Sequence, residues 1–290
     1  MANYSMWLLE YAHIPTQAMS VFLAGQHNQG IHLMPFSYLV LKGEGHVAMV
    51  DVGMDPGQDD YARQLARNDN VQDWQPPQKV LAKIGLKPAD IDTVFLTHAH
   101  YDHMGNLMAF PNARFYIQKR EYQDWFWALS LPERYRNLLM AVNPQDLANA
   151  KKLVESGRMT LVDGAQENVL PGIHLRPAYD GHTYASQMIV VENQDGSGTW
   201  VYCGDLAYTR ANLTGIDGNG IYVPVGIAVG THYNIMKSYD EMLEIIGGKL
   251  DHVIIGHEID SWELYPSWQT EDKLRVCEVN LAPGEISRKP

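Results

Sequence analysis

Apolar positions come in short runs separated by turn residues. Phe36-Ser37-Tyr38-Leu39-Val40-Leu41 reads as a strand, Gly43-Glu44-Gly45 as a turn, and His46-Val47-Ala48-Met49-Val50-Asp51 as a second strand. Gln78 to Ile84 reads as a helix stopped by Gly85, and Asp92 to Leu96 as a strand. Ala113 to Gln118 predicts a further strand, and residues 119–156 predict helix. Met159–Val162, His174–Pro177, Gln187–Glu192 and Thr199–Cys203 read as short strands, Asp240–Ile246 as a helix, and Val253–Ile255 as a last strand. Up to about Met34 no period is clear, and a strand pair or a pocket-lining loop both fit. Residues 56–76 are polar and Pro-rich, with a short helical stretch near Tyr61 to Leu65. The mixture of strands and helices predicts a layered α/β protein. Neither linker nor low-complexity segment interrupts it, so residues 1–290 are expected to form one domain.

Composition narrows the function. With 22 basic against 34 acidic residues the net charge is −12. That argues against binding nucleic acid through its phosphate backbone, which needs Lys/Arg-rich surfaces. Two cysteines, Cys203 and Cys277, imply no disulfide framework and point to a reducing cytoplasm. The start of the chain lacks the basic and apolar regions of a signal peptide, and no apolar run is long enough to span a membrane.

Chemistry concentrates in Thr97-His98-Ala99-His100-Tyr101-Asp102-His103, directly after Val94-Phe95-Leu96. Imidazole nitrogens and carboxylate oxygens at this density are the donors that zinc and similar dications accept. If the strand continued, His98 and His100 would point the same way. A turn after them would aim Asp102 and His103 at a neighbouring point, so two adjacent metals are expected. Three further places repeat one pattern, in which glycine accompanies a ligand-type residue after an apolar strand: Asp180-Gly181-His182, Cys203-Gly204-Asp205 and Ile255-Gly256-His257. Of the twelve histidines, His98, His100, His103, His182 and His257 are the candidate ligands. Structural roles are expected for His13, His27, His32, His46, His174 and His252, while His232, in Gly230-Thr231-His232-Tyr233, fits either a structural role or a place beside the ligands. Asp51, at a strand end, is a candidate partner for a ligating histidine.

His98-x-His100-x-Asp102-His103 followed by His182, Asp205 and His257 resembles the metallo-β-lactamase superfamily, over Phe36 to about His257. The resemblance implies an αββα sandwich with metals at one edge between two sheets. Gly204-Asp205-Leu206-Ala207-Tyr208-Thr209, Gly256-His257-Glu258 and His103-Met104-Gly105-Asn106 are similar to the N-acyl-homoserine lactonase branch. Tyr184 stands where that branch usually has proline, and Met104 where it has a smaller residue; both bear on substrate rather than on ligands. Carried over, His98, His100 and His182 bind the first metal, Asp102, His103 and His257 the second, and Asp205 bridges them. Zinc is implied, with cobalt, manganese and iron also compatible with these donors. A metal-bridging hydroxide would open a lactone ring, Tyr208 would hydrogen-bond the carbonyl or oxyanion, and Asp102 would pass a proton to the leaving oxygen. The diiron redox branch carries glutamate two positions after its first histidine, where this chain has His100, which favours hydrolysis. Thioesterase, lactam or amide hydrolase and phosphodiesterase stay open, as does a non-catalytic metal binder. The implied partner is a small-molecule lactone, with a homodimer common in the branch. Met19, Phe22, Met34, Trp125, Phe126 and Trp127 are candidate pocket residues, with a core role equally open.

Overall fold

The structure is a computed structural model and describes residues 2–290. Strands are β1 Ser5–Ala18, β2 Ile31–Gly43, β3 His46–Val50, β4 Thr93–Phe95, β5 Arg114–Gln118, β6 Met159–Val162 and β7 Gln166–Leu170. They continue with β8 Ile173–Tyr179, β9 Ala185–Asn193, β10 Gly198–Tyr202, β11 Val253–Ile254, β12 Ser267–Gln269 and β13 Arg275–Asn280. Helices are α1 Met19–Phe22, α2 Asp60–Asn68, α3 Pro77–Ala82, α4 Tyr101–Met104, α5 Lys119–Leu129, α6 Pro144–Glu155, α7 Ala211–Thr214, α8 His232–Ile245 and α9 Ser261–Leu264.

One sheet has the order β12-β13-β1-β2-β3-β4-β5-β6, the other β11-β10-β9-β8-β7. Side chains alternate across each strand, and both faces are covered, so the strands read as nearly unbroken apolar runs. Leu8, Leu39, Leu41 and Phe95 of the first sheet meet Leu175, Ile189, Val191 and Tyr202 of the second in one buried layer. The alternate residues Trp7, Leu9, Val40 and Val94 face outward, in the cluster that holds Val80 and Leu81 of α3 and Leu147 and Leu153 of α6. On the far side, Met188, Val190 and Val201 belong with Ile235, Tyr239 and Met242 of α8. This is the αββα sandwich that the resemblance implies.

The start of the chain is a long strand, β1, that pairs with β2 and β13. The expected helix over 119–156 is two helices joined by a 3-10 turn at Glu133–Leu139. Pro132 and Pro144 break it, because proline supplies no N–H and restricts the residue before it. The helix expected at 240–246 begins eight residues earlier, where the Thr231 hydroxyl caps the Asn234 N–H at 3.2 Å.

Candidate metal centre

Strand β4 ends at Phe95, so His98 and His100 lie on a loop rather than on one face of a strand. What aims them is the loop's anchoring. The Asp51 carboxylate accepts the Thr97 N–H at 2.7 Å and the Thr97 hydroxyl at 2.9 Å. Asp51 itself adopts φ +64°, a left-handed conformation that Asp tolerates better than most residues. The short helix α4 then carries Asp102 and His103. His182 follows the end of β8, Asp205 follows β10, and His257 follows β11. Gly204 stands at φ +53°, where a Cβ would meet the Thr97 side chain at 2.8 Å, so glycine lets the β10 turn close onto the histidine loop.

These loops bring all seven residues together. His98, His100, His182 and Asp205 form one set of donors and Asp102, His103, Asp205 and His257 another, with the atoms of each set within 4.8 Å of one another. Asp205 serves both. Its Oδ2 lies 3.2 Å from His182 Nε2 and 3.6 Å from His98 Nε2. Its Oδ1 lies 3.0 Å from His103 Nε2 and 3.1 Å from His257 Nε2. Asp102 Oδ2 is 3.4 Å from His103 Nε2 and 3.6 Å from His257 Nε2.

The chemistry of these donors fits a cation. His182 Nδ1 donates to the Ile227 carbonyl at 3.0 Å, and His257 Nδ1 to the Pro35 carbonyl at 2.7 Å. His103 Nδ1 donates to Asp51 at 2.8 Å. The Thr97 hydroxyl gives its hydrogen to Asp51 and accepts from His98 Nδ1 at 2.9 Å. Each outer nitrogen therefore carries a hydrogen, and the four Nε2 atoms face inward, where a metal ion would take the place of any proton. His182 Nε2 comes within 3.1 Å of His100 Nδ1, and His257 Nε2 within 3.3 Å of His103 Nε2. Buried His98 Nε2 and Asp205 Oδ1 have no hydrogen-bond partner. Converging unpaired acceptors repel unless a positive charge sits among them. Donors around 2.0–2.1 Å from a tetrahedral ion are about 3.3–3.4 Å apart, close to the spacings found here. The His and Asp side chains are positioned to bind metal.

Charge behaviour follows the same layout. Burial pushes His98 down and His100 down to about 3, which keeps both imidazoles neutral. At His103 burial acts in the same direction, but Asp205, Asp102 and Asp51 outweigh it and raise the imidazole well above its usual range. Burial raises the Tyr208 phenol, and Asp205 and Asp102 raise it further, so it stays a donor. Its hydroxyl reaches Asp205 Oδ2 at 3.0 Å.

Two cavities meet at Tyr208 and His257. A small one of about 80 Å³ opens on His100, Asp102, His182 and Asp205. A larger one of about 380 Å³ is walled by Met19, Phe22, Leu23, Ile216 and Ile259. Of the expected pocket residues, Met19 and Phe22 line the larger cavity and Met34 the smaller. Trp125 instead is buried 5.8 Å from the His100 ring, and Trp127 is exposed. Phe126 packs at a tilt against Tyr122, with ring centres 4.9 Å apart, and lines neither cavity. Tyr184 packs on Trp125 at 4.8 Å, occupying the branch's proline position with an aromatic contact. His232 is exposed at the start of α8, and His252 stacks on Trp200.

Three functional contacts escape sequence reading. Glu121, on α5, is fully buried beside the histidine loop. Asp69 accepts the Tyr101 hydroxyl at the mouth of the smaller cavity. Asn212 accepts from the Tyr208 and Thr209 N–H groups at 2.9 Å each and donates to the Phe22 carbonyl. It thereby fastens the tyrosine turn to the segment over the site. Only the Asx pattern Thr209-x-x-Asn212 offered a signal, and a weak one.

Residues 31–257 match the family described as the metallo-beta-lactamase superfamily. The chain belongs to this superfamily. A protein named probable metallo-hydrolase from Mycobacterium tuberculosis is 29% identical over 199 residues, covering 64% of this chain and 61% of that one. An N-acyl homoserine lactonase of Bacillus cereus is 26% identical over 181 residues, covering 62% and 61%. The matches thus span about 61% of the length of these relatives. A crystal structure of a quorum-quenching N-acyl homoserine lactone lactonase superposes with a TM-score of 0.65 at 20% identity, over 90% of this chain and 95% of that one. AidC, a dizinc quorum-quenching lactonase bound to a product, gives 0.64 at 18% identity, over 93% and 92%. At such identities the superpositions speak for the metallo-β-lactamase fold. Among the described residues, no helix is long and apolar enough to cross a membrane.

Proposed function

We propose that this metallo-hydrolase opens lactone rings, using two divalent metals, zinc first among them. His98, His100 and His182 would hold one, Asp102, His103 and His257 the other, and Asp205 both. The observation that carries the reading is Asp205 itself, one oxygen toward each donor set, with the Tyr208 hydroxyl 3.0 Å from Oδ2. When bound, a dication pair would supply Lewis acidity and lower the pKa of a water toward about 7, so that hydroxide is available near neutral pH.

The protein's own groups do the rest. Tyr208 donates a hydrogen bond to the ring carbonyl as it gains negative charge. Asp102, whose carboxylate adjoins both His103 and His257, would take the proton that the attacking oxygen gives up and pass it to the ring oxygen as the ring C–O bond breaks. The cavity beside Tyr208 shelters an apolar substituent on the ring, and its volume of about 380 Å³ suits a small molecule.

Charge disfavours a phosphodiester or an anionic thioester. Arg210, the cation nearest the ligand loops in sequence, is not free. Its guanidinium lies 3.3 Å from Glu258 and donates to the carbonyls of Leu250 and Val253. The two cavities are lined by the acids Asp69, Asp102, Asp205, Glu258 and Asp260 and by no lysine or arginine among the described residues.

The test is a pH-indicator assay on lactones with varied tails, alongside a thioester, an amide and a phosphodiester, on zinc-loaded protein of measured metal content. Ring opening faster than the other reactions is expected. Turnover of the phosphodiester or thioester with every lactone inert would overturn the assignment. For Asp102, an Asp102→Asn variant that kept its metal and full turnover would remove the proton-carrier role.

A further inference from the structure

Glu121 is 0% exposed, and its carboxylate faces four hydrogen-bond donors. Oε1 accepts the Ala99 N–H at 3.0 Å and the Trp125 indole at 2.7 Å. Oε2 accepts the Thr183 hydroxyl and the Ala185 N–H, both at 2.8 Å. Apart from Trp125, one turn along α5 itself, the partners belong to two separate chain segments. Ala99 sits between His98 and His100, while Thr183 and Ala185 follow His182 directly. The Trp125 ring that Glu121 holds packs 5.8 Å from the His100 ring. One carboxylate therefore links the backbone between His98 and His100 to the residues that follow His182, and its hydrogen bonds reach no residue next to His103 or His257.

None of the four donors carries a formal charge. Burying an ionised carboxylate without a cationic partner costs several kcal/mol, even when its lone pairs are filled. A neutral side chain would satisfy a purely structural need at lower cost. A carboxylate has the particular advantage that both oxygens accept, so one rigid planar group can span two loops.

Resting on the metal centre proposed above, we propose that Glu121 is the positioning residue of the first metal site, tying the His98–His100 loop to the His182 loop through paired carboxylate hydrogen bonds. Its removal lets the two loops separate, and that site weakens while the site of Asp102, His103 and His257 keeps its geometry. A glutamine there presents one oxygen and one NH₂ group. It can hold one pair of donors and opposes the other, so its effect falls between those of glutamate and alanine.

Zinc titration of the full chain against a chromophoric chelator reads both sites at once, and the melting point of the metal-free chain reports stability separately. Wild type is expected to bind two zinc ions. In Glu121→Gln and Glu121→Ala one site weakens by about 10–100-fold, the typical effect of losing a ligand's supporting contact, and alanine is the more severe. The other site stays within a few-fold of wild type. Should the alanine variant not fold, Glu121→Gln and Trp125→Phe decide, the latter removing a single donor. Wild-type loading with both sites unmoved in the variants overturns the role of Glu121 alone. So does a parallel weakening of both sites that tracks a fall in melting point. A wild-type chain that takes up no zinc overturns the metal centre and this role with it.

Discussion

The Asp51 carboxylate accepts a hydrogen bond from His103 Nδ1 at 2.8 Å while also holding the Thr97 N–H and hydroxyl. One buried acid thus sets the tautomer of one candidate ligand and the course of the loop that bears two more. Asp51→Asn keeps a residue that tolerates φ +64° but weakens the acceptor facing His103. Metal affinity is expected to fall by about 10–100-fold, chiefly at the site of Asp102, His103 and His257. Chelator competition measures it, and an unchanged affinity would show that Asp51 serves the loop alone.

Tyr208 adjoins both halves of the centre, with its hydroxyl on Asp205 and its ring 5.3 Å from His257. Tyr208→Phe removes the hydroxyl and little else. Losing such a donor costs about 2.7–4 kcal/mol of transition-state stabilisation, so kcat on a lactone should fall by about 10²–10³. Zinc content should stay at the wild-type level. A fall of less than a few-fold at full metal loading would assign Tyr208 to packing against Phe22 instead.

Asp146 has only 1% of its surface exposed, and burial pushes its carboxyl up to about 7, with Asp59 and Asp55 adding to the shift against the Gln58 hydrogen bond. Its folded pKa therefore lies above the unfolded value of about 3.9. Between those values the folded chain binds the extra proton, so this group's contribution to stability is lost as pH rises from about 4 to 7. A displacement of about three pH units corresponds to ~4 kcal/mol. Asp146→Asn keeps an oxygen for the Gln58 amide and cannot ionise. Urea unfolding at pH 5 and pH 8 should show the variant gaining on wild type at the higher pH. Parallel pH profiles would rule the effect out.

How much the sequence tells depends on what each residue needs from far away. The strands at 36–41 and 46–51 were legible because packing on both faces leaves nearly unbroken apolar runs, and the one at 159–162 because its buried Met159 and Val162 flank an exposed Thr160 on the sheet's edge. Strand β1 was not, because Glu10, His13 and Pro15 interrupt it. Glu10 is buried there, where it accepts the Arg275 N–H of β13, 265 residues away along the chain. The β12–β13 pair escaped reading for the same reason, with Glu278 buried in the last strand. The seven centre residues could be proposed from composition and glycine placement, since metal chemistry needs those side-chain types. Glu121 and Asn212 could not. Ordinary polar residues of a helix acquire their roles only when the fold sets distant loops beside them.

Gly226 holds the wall of the larger cavity against the rest of the fold. Its N–H donates to the Val21 carbonyl at 2.9 Å, and a Cβ on it would lie 1.6 Å from the Ser20 carbonyl oxygen. Backbone cannot yield as a side-chain tip can, so Gly226→Ala must displace α1, the segment that carries Met19 and Phe22. Phe22 packs edge-on to Tyr208 with ring centres 6.1 Å apart, so the displacement reaches the proposed substrate pocket without touching a candidate metal ligand. Overpacking costs about 1–3 kcal/mol, and about 1.4 kcal/mol expressed in binding is tenfold. KM for lactones with long apolar tails should therefore rise by about tenfold, while KM for an unsubstituted ring and the zinc content change little. Equal KM changes for tailed and bare rings would mean that α1 does not form the wall against which the tail rests.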